Sequence, residues 1–208
     1  MKRGRFITLE GGEGAGKTTA AAWVEDWLRS HDRPVVRSRE PGGTPAAEKV
    51  RSLLLDPDTG ELEPMTELLL MFAARAENLA RIIRPALDRG DDVLCDRFSD
   101  ASRAYQGGGR RMGIQVVNRL ATLVHPDIQP DLTLLLDVPV AIGMQRVASR
   151  AGDADRFERL RTDFLERVRA AYLAQARMEP DRIVIIDAGQ ELEEVRAQIV
   201  AALERRLA

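Results

Sequence analysis

The sequence predicts an α/β protein: three layers, with a five-stranded parallel sheet in the middle and helices on both faces. Two observations predict it. Short β-branched or apolar runs alternate with long helical patterns along the whole chain, and such alternation belongs to parallel strands joined by helical crossovers. The 208 residues, 44% hydrophobic and 31% charged, suffice for one domain with a core. No repeat, low-complexity tract or Pro/Gly/Ser-rich linker divides them, so 1–208 reads as a single domain.

In order, RFITLE supplies the first strand and Lys17 to His31 the first helix. Asp32 with Pro34 marks a turn before the second strand, PVVRS. Thr44 and Pro45 suit the N-cap and first position of a helix running to Leu55. A longer helix from about Glu63 to Asp88 is apolar around more of its circumference than a one-sided surface helix requires. It is expected to pack on two surfaces, and the second is either another subunit or a thick domain core. DVLCDR is the third strand, followed by a helix around Ile114 to Val124 and the strand LTLLLDV. Helices around Val140 to Ser149 and Glu158 to Met178, the strand RIVIID and a last helix from Glu191 complete the set. Glutamates open that last helix while Arg205 and Arg206 close it, an order that complements the helix dipole.

Charge and composition exclude several function classes. A formal net charge of -2 gives no global basic field, which argues against a nucleic-acid binder. No apolar run approaches the roughly 18 residues a membrane helix needs, and MKRGRF leads straight into strand-like sequence, so a cytoplasmic protein is expected. The single cysteine, Cys95, cannot form an internal disulfide and lacks companions for a zinc site.

Gly11 through Thr18, GGEGAGKT, fit G-x-x-x-x-G-K-[ST] without a gap. A strand that turns through glycines into a helix gathers backbone N–H groups and a helix N-terminus around an anion. Lys17 can then reach the β- and γ-phosphates of a nucleotide and the Thr18 hydroxyl can bind Mg²⁺. The glycines Gly11, Gly14 and Gly16 are expected to leave room for phosphate oxygens. Background frequencies produce this pattern in such a chain at roughly the one per cent level or below, so the α/β class narrows to a P-loop NTPase fold. The expected ATP contacts are Gly11, Gly12, Glu13, Gly14, Ala15, Gly16, Lys17, Thr18 and Thr19. A second acid is needed for the metal or its water, and Asp96, ending the strand VLCD, supplies it.

The loop alone does not choose among switches, motors and kinases. Neither N-K-x-D nor D-x-x-G, the marks of guanine switches, occurs. A kinase acting on a phosphorylated acceptor needs arginines for the acceptor phosphate. Arg97 follows Asp96, and Arg146, Arg150 and Arg156 bracket RAGDADR, whose Gly and Asp content suits a lid over about 146–157. On the chain without a phosphate loop, such helical arginines would be read as solvated.

REPGGTPAAEKVRSLLL, LLLMFAAR, DRFSDASRAYQGGGR and PDLTLLLDV, with the loop, resemble bacterial thymidylate kinases nearly end to end. The resemblance implies phosphorylation of dTMP to dTDP by ATP with Mg²⁺. It implies a homodimer. It makes Arg97 the grip on the acceptor phosphate, with Arg51 reaching it from the next helix. Phe72 resembles the ring that stacks on thymine, and Arg75 the residue that bonds the base. Tyr105 would lie under the sugar, where its ring leaves no room for a 2′-hydroxyl, with Ser102 and Gln106 along the base side. The same residues admit another reading, with Tyr105 a core aromatic and Gly107 to Gly109 a flexible turn. Glu13 would bond the sugar 3′-OH. Because Gly14 stands where some relatives carry arginine, the lid would supply the catalytic arginine, Arg150, with Arg146 against adenine and Arg156 as a second phosphate contact.

The expected mechanism is in-line transfer without a general base, since the acceptor phosphate is already a nucleophile near neutral pH. The catalytic set is Lys17, Arg97 and Arg150; Mg²⁺ is held by Thr18, with Asp96 acting through water. Glu40 and Arg39 are expected to shape the acceptor pocket. Asp187 to Gln190 either border the adenine or form a plain strand-to-helix turn. His31 and His125 are read as surface or capping residues. A kinase for dUMP or UMP would share the phosphate chemistry and differ at Phe72, Arg75, Ser102 and Tyr105. A P-loop ATPase that switches a partner is the reading from another class, and the lid arginines speak against it.

Overall fold

A computed structural model describes residues 3–149, 157 and 162–207. Its centre is strand β1 (Phe6–Gly11), buried at every position, which leads through the glycine loop into helix α1 (Lys17–Ser30). Strand β2 (Val35–Arg39) and helix α2 (Pro45–Leu55) follow, α2 capped by the Thr44 hydroxyl accepting from the Ala47 N–H at 3.2 Å. The expected long helix is one path in three parts: α3 (Pro64–Asn78), a π-helical turn at Leu79–Ile83, and α4 (Arg84–Arg89). Pro85, just after the wide turn, has no N–H to donate into the helix, and widening is one way a helix absorbs that defect. Strand β3 (Asp92–Asp96) then runs into the short helix α5 (Ser99–Ser102). Next come helix α6 (Ile114–Val124), strand β4 (Leu132–Asp137), helices α7 (Val140–Ala148) and α8 (Thr162–Met178), strand β5 (Ile183–Asp187) and helix α9 (Leu192–Leu207).

All five strands are parallel, in the order β2-β3-β1-β4-β5. The chain therefore leaves β1 toward one side and later returns to its other side, so a crevice opens at the carboxyl end of β1, where sheets of this kind bind ligands. Register fixes what meets there: Leu9 lies beside Asp96 and Gly11 beside Leu136.

Side chains of β1 alternate between two different environments. Ile7 and Leu9 join Ala20, Val24 and Leu28 of α1 and Ile199 of α9 in an apolar layer. On the opposite face Thr8 bonds Thr133 at 2.8 Å, and Glu10 is fully buried. Beneath α5, Arg182 donates to both oxygens of Asp100, at 2.6 and 3.0 Å, tying the sheet's lower edge to that helix.

The run Arg103–Gly109 is a π-helical turn continuing α5, not the flexible turn that its glycines allowed. Helix α8 packs against it so closely that a Cβ on Gly108 would stand 2.6 Å from the Ala171 Cβ, and one on Gly109 2.6 Å from the Phe164 ring. These glycines serve close approach. Among the described residues no helix is long and apolar enough to cross a membrane.

Candidate active site

The phosphate loop is shaped by its neighbours as much as by any anion. At Gly11 and Gly14 a Cβ would fall 2.4 Å from the Leu136 carbonyl oxygen and 2.1 Å from that of Gly143. On the side where a Cβ would lie, these two glycines admit the close approach of neighbouring backbone. Gly12 and Gly16 face open space instead. Gly16, at φ 88°, is the N-cap of α1 and provides no side-chain acceptor, so no protein side chain competes with an anion for the first amides of that helix. Lys17 Nζ donates to the carbonyls of Gly11 and Gly12 at 3.3 and 3.1 Å. Burial, and then the Arg97 guanidinium, push its pKa down, while Glu13 and Asp96 pull it back. Thr18 and Thr19 are exposed at the loop mouth.

Asp96 ends β3 with a buried Oδ1 that has no hydrogen-bond partner among the described residues. A buried carboxylate oxygen left unpaired is costly, and a hydrated cation would satisfy it. Mg²⁺ takes one or two carboxylates plus phosphate oxygens and waters rather than a protein cage, so Asp96 with Thr18 is a donor set of the right chemistry.

Arg97 holds the site together from a left-handed backbone, φ 69°, a conformation that costs energy for a non-glycine residue. Its N–H donates to the Leu9 carbonyl at 2.9 Å. Its guanidinium donates to the Gly11 carbonyl (2.9 Å), Tyr172 Oη (3.1 Å), Glu13 Oε1 (2.8 Å) and Tyr105 Oη (3.1 Å). Tyr105 in turn donates to Glu13 Oε1 at 2.7 Å. Tyr172 donates to Glu10 Oε2 at 2.8 Å, and Glu10 Oε1 accepts the Phe98 N–H at 2.7 Å. Burial pushes both phenols well above their ordinary pKa, so each stays a neutral donor.

Beside this cluster lies a cavity of about 100 Å³. Seven of the expected acceptor residues border it: Glu13, Arg51, Arg75, Arg97, Ser102, Tyr105 and Gln106. Arg51 donates to the Pro41 carbonyl at 2.9 Å. Arg75 is 2% exposed, donating Nε to Glu40 (2.6 Å) and Nη2 to the Phe98 carbonyl (3.1 Å) and Ser102 Oγ (3.0 Å). Its Nη1 is buried with no partner among the described residues. An unpaired guanidinium N–H in a cavity wall is a donor for a ligand carbonyl.

Phe72 is the exception. Its ring does not border the cavity but packs with Leu68, Val117 and Ala121, under Arg75 and parallel to His125. Met71 borders the cavity instead, with Phe98 and Phe157. Met71 precedes Arg75 by four residues and Phe72 by three, so both share its helix face, and Met71 is the one that reaches the cavity wall. Arg39, expected at the pocket, pairs with Glu48 at 2.9 Å and is not among its walls, whereas Glu40 is.

Farther round, Arg146 Nη1 donates to the Ala188 carbonyl at 3.0 Å, at the carboxyl end of β5. Asp187 accepts from the Gly189 N–H and the Gln190 amide, so this segment is at least a self-capped turn next to Arg146. Arg150 and Arg156 lie outside the described residues. His31 caps α1 and stacks on Trp27. His125 ends α6 as expected of a cap but is 6% exposed, bonded to Ser99 at 2.9 Å and therefore not a surface residue. Glu10, Glu67 and Tyr172 were not anticipated. A glutamate inside the buried run FITLEG was a visible sign for the first of them; Tyr172 has no local sign.

A family model described as thymidylate kinase matches residues 9–199. A thymidylate kinase of Chromohalobacter salexigens is 56% identical over 100% of this chain and 99% of its own length, and one of Pseudomonas putida F1 is 54% identical over 96% and 95%. The crystal structure of thymidylate kinase from Ehrlichia chaffeensis superposes with a TM-score of 0.78 at 32% identity, covering 97% of this chain and 99% of that one.

Proposed function

The chain belongs to the thymidylate kinase family, and from that premise we propose that it transfers the γ-phosphate of ATP to dTMP, giving dTDP. One observation carries the site reading: the Arg97 guanidinium joins Glu13 of the phosphate loop to Tyr105 of the cavity. A nucleotide seated in the cavity would meet a cation at the edge of the loop that holds the donor.

In this reading the loop 11–19 cradles ATP, with Lys17 leaving its carbonyls for the β- and γ-phosphates and Arg146 and Arg156 at the adenine and phosphate ends. Thr18, with Asp96 acting through water, would hold Mg²⁺, which would supply charge compensation for the phosphates. Arg97 and Arg51 take the acceptor phosphate, and Arg150 neutralises the group in transit. Arg75 and Gln106 face the thymine edge, Ser102 keeps Arg75 in place, and Met71 and Phe98 take over the apolar contact expected of Phe72. Tyr105 lies under the sugar, and Glu13 accepts the 3′-OH. The attacking phosphate oxygen is already anionic, so no residue has to remove a proton from it.

The reading includes a homodimer. Exposed Met65 and Leu69 on α3, with exposed Leu123 on α6, supply apolar surface beside the cavity-forming helix, and sedimentation equilibrium tests it. The reading also takes the enzyme to be cytoplasmic.

The direct test is ADP formation from Mg-ATP with dTMP, dUMP, UMP, dCMP, dGMP or AMP, and without acceptor. Preference for dTMP is expected. Preference for another nucleotide discards the thymine site, and equal turnover without acceptor discards the kinase.

A further inference from the structure

Gln106 borders the cavity through a side chain whose orientation is set from behind. Its Nε2 donates to Glu67 Oε1 at 2.9 Å. Glu67, on α3, is 0% exposed and also accepts from Arg110, Nη2 to Oε2 at 2.9 Å and Nε to Oε1 at 3.3 Å. A carboxylate paired with a guanidinium accepts and does not donate, so the amide must turn its N–H toward it. That leaves Gln106 Oε1 as the end of the amide not bound to Glu67. Arg75 borders the same cavity, and its Nη1 is a buried donor without a partner among the described residues; Arg75 cannot change its hydrogen-bond character.

We propose that Glu67 is a positioning residue for base choice: by accepting the Gln106 amide N–H it commits Gln106 to present an acceptor, while Arg75 presents a donor. This rests on the assignment of the cavity to the acceptor base. A pyrimidine with a carbonyl at C4 and an N–H at N3 matches this pair. A pyrimidine with an amine at C4 and a bare N3 opposes it at both atoms, donor against donor and acceptor against acceptor. Sites that leave buried polar groups unpaired by the wrong ligand discriminate strongly. Thymine and uracil share the matched edge, so Glu67 sorts by the C4 and N3 groups and not by the 5-methyl.

The test compares wild type, Glu67→Gln and Glu67→Met/Arg110→Met. The double variant removes both members of the Glu67–Arg110 pair together, so neither is left buried without the other if the single variant fails to fold. The readouts are kcat/KM for dTMP, dCMP and dUMP, with circular dichroism as the folding check. With the anchor gone the amide is free to rotate, and the dTMP-to-dCMP ratio is expected to fall at least about tenfold in the double variant, while the dTMP-to-dUMP ratio stays within about threefold. A folded double variant with an unchanged dTMP-to-dCMP ratio overturns the proposal. So does a parallel fall of both ratios, which would mean general distortion of the cavity. A wild-type enzyme with no preference for dTMP over dCMP would instead remove the base-site assignment on which the proposal stands.

Discussion

On the donor side Thr18 and Thr19 are exposed and Lys17 rests on two carbonyls of its own loop, whereas on the acceptor side Arg97, Glu13, Tyr105, Tyr172 and Glu10 bond one another. The first region is a general phosphate cradle, built largely from main chain. The second is a shaped wall of side chains drawn from β1, α3, the turn after β3, and α8. The difference teaches where selectivity resides. A lesion in the cradle is expected to lower turnover equally for every acceptor, and a lesion in the wall to change the order of acceptors.

Lys17→Met gives the largest effect. It removes a cation from the transferring phosphate, and losing one preorganised group at developing charge costs about 10²–10³ in kcat. The expected fall lies at or above the upper end, with the dTMP-to-dUMP ratio unchanged; steady-state rates with both acceptors check it. A reordered preference would break the division of labour. Arg97→Lys comes next. The charge survives, but one ammonium cannot reproduce a guanidinium fork that spans Gly11, Glu13, Tyr105 and Tyr172. kcat/KM for dTMP is expected to fall about 10²-fold, with the KM for ATP little changed. An equal rise in the KM for ATP would place Arg97 with the cradle instead.

The same division governs what the sequence makes legible. The cradle is contiguous, so GGEGAGKT announces it in eight letters. The helices Pro45–Leu55 and Ile114–Val124 have the expected bounds. The wall is assembled from distant segments, and there local reading falters. Glu10 and Tyr172 meet across 162 residues of chain. Gly107 to Gly109 lower helix propensity, yet α8 packs onto them and the turn stays helical. At 71–72 spacing alone puts both side chains on the helix face of Arg75, and it is the packing of Phe72 against Leu68, Val117 and Ala121 that leaves the cavity wall to Met71.

Tyr105→Ala sharpens the acceptor side further. The ring packs at the edge of Phe157 and Tyr172, so it is held firmly enough to exclude an added hydroxyl. Its removal is expected to lower the preference for dTMP over the corresponding ribonucleotide about tenfold, since shape alone rejects an extra group only modestly. Comparing kcat/KM for the two sugars decides it. An unchanged ratio would leave Tyr105 only as a hydrogen-bond partner of Glu13 and Arg97.

The smallest effect concerns stability and comes from the wall's deepest member. Burial, and then the nearby Asp100 carboxylate, raise Glu10 from 4.5 to about 8, against the pull of Arg97 and the bonds from Tyr172 and Phe98. Between those values the folded protein holds a proton that the unfolded chain releases. The contribution is therefore fully present below pH 4.5 and is lost as pH rises through about 8. His125 has the opposite sign: burial lowers it from 6.5 to about 4, so its contribution is present above 6.5 and is lost as pH falls. The two oppose each other in acid, and from pH 6.5 to 8 only Glu10 of the pair acts. In that window the Tm of the wild type is expected to decline with pH more steeply than that of Glu10→Gln, which has no proton to lose. Parallel Tm curves for the two proteins would mean that Glu10 is ionised throughout. Tyr172 would then be a donor locked to an anion, and the wall would carry one more buried charge than a protonated Glu10 gives it.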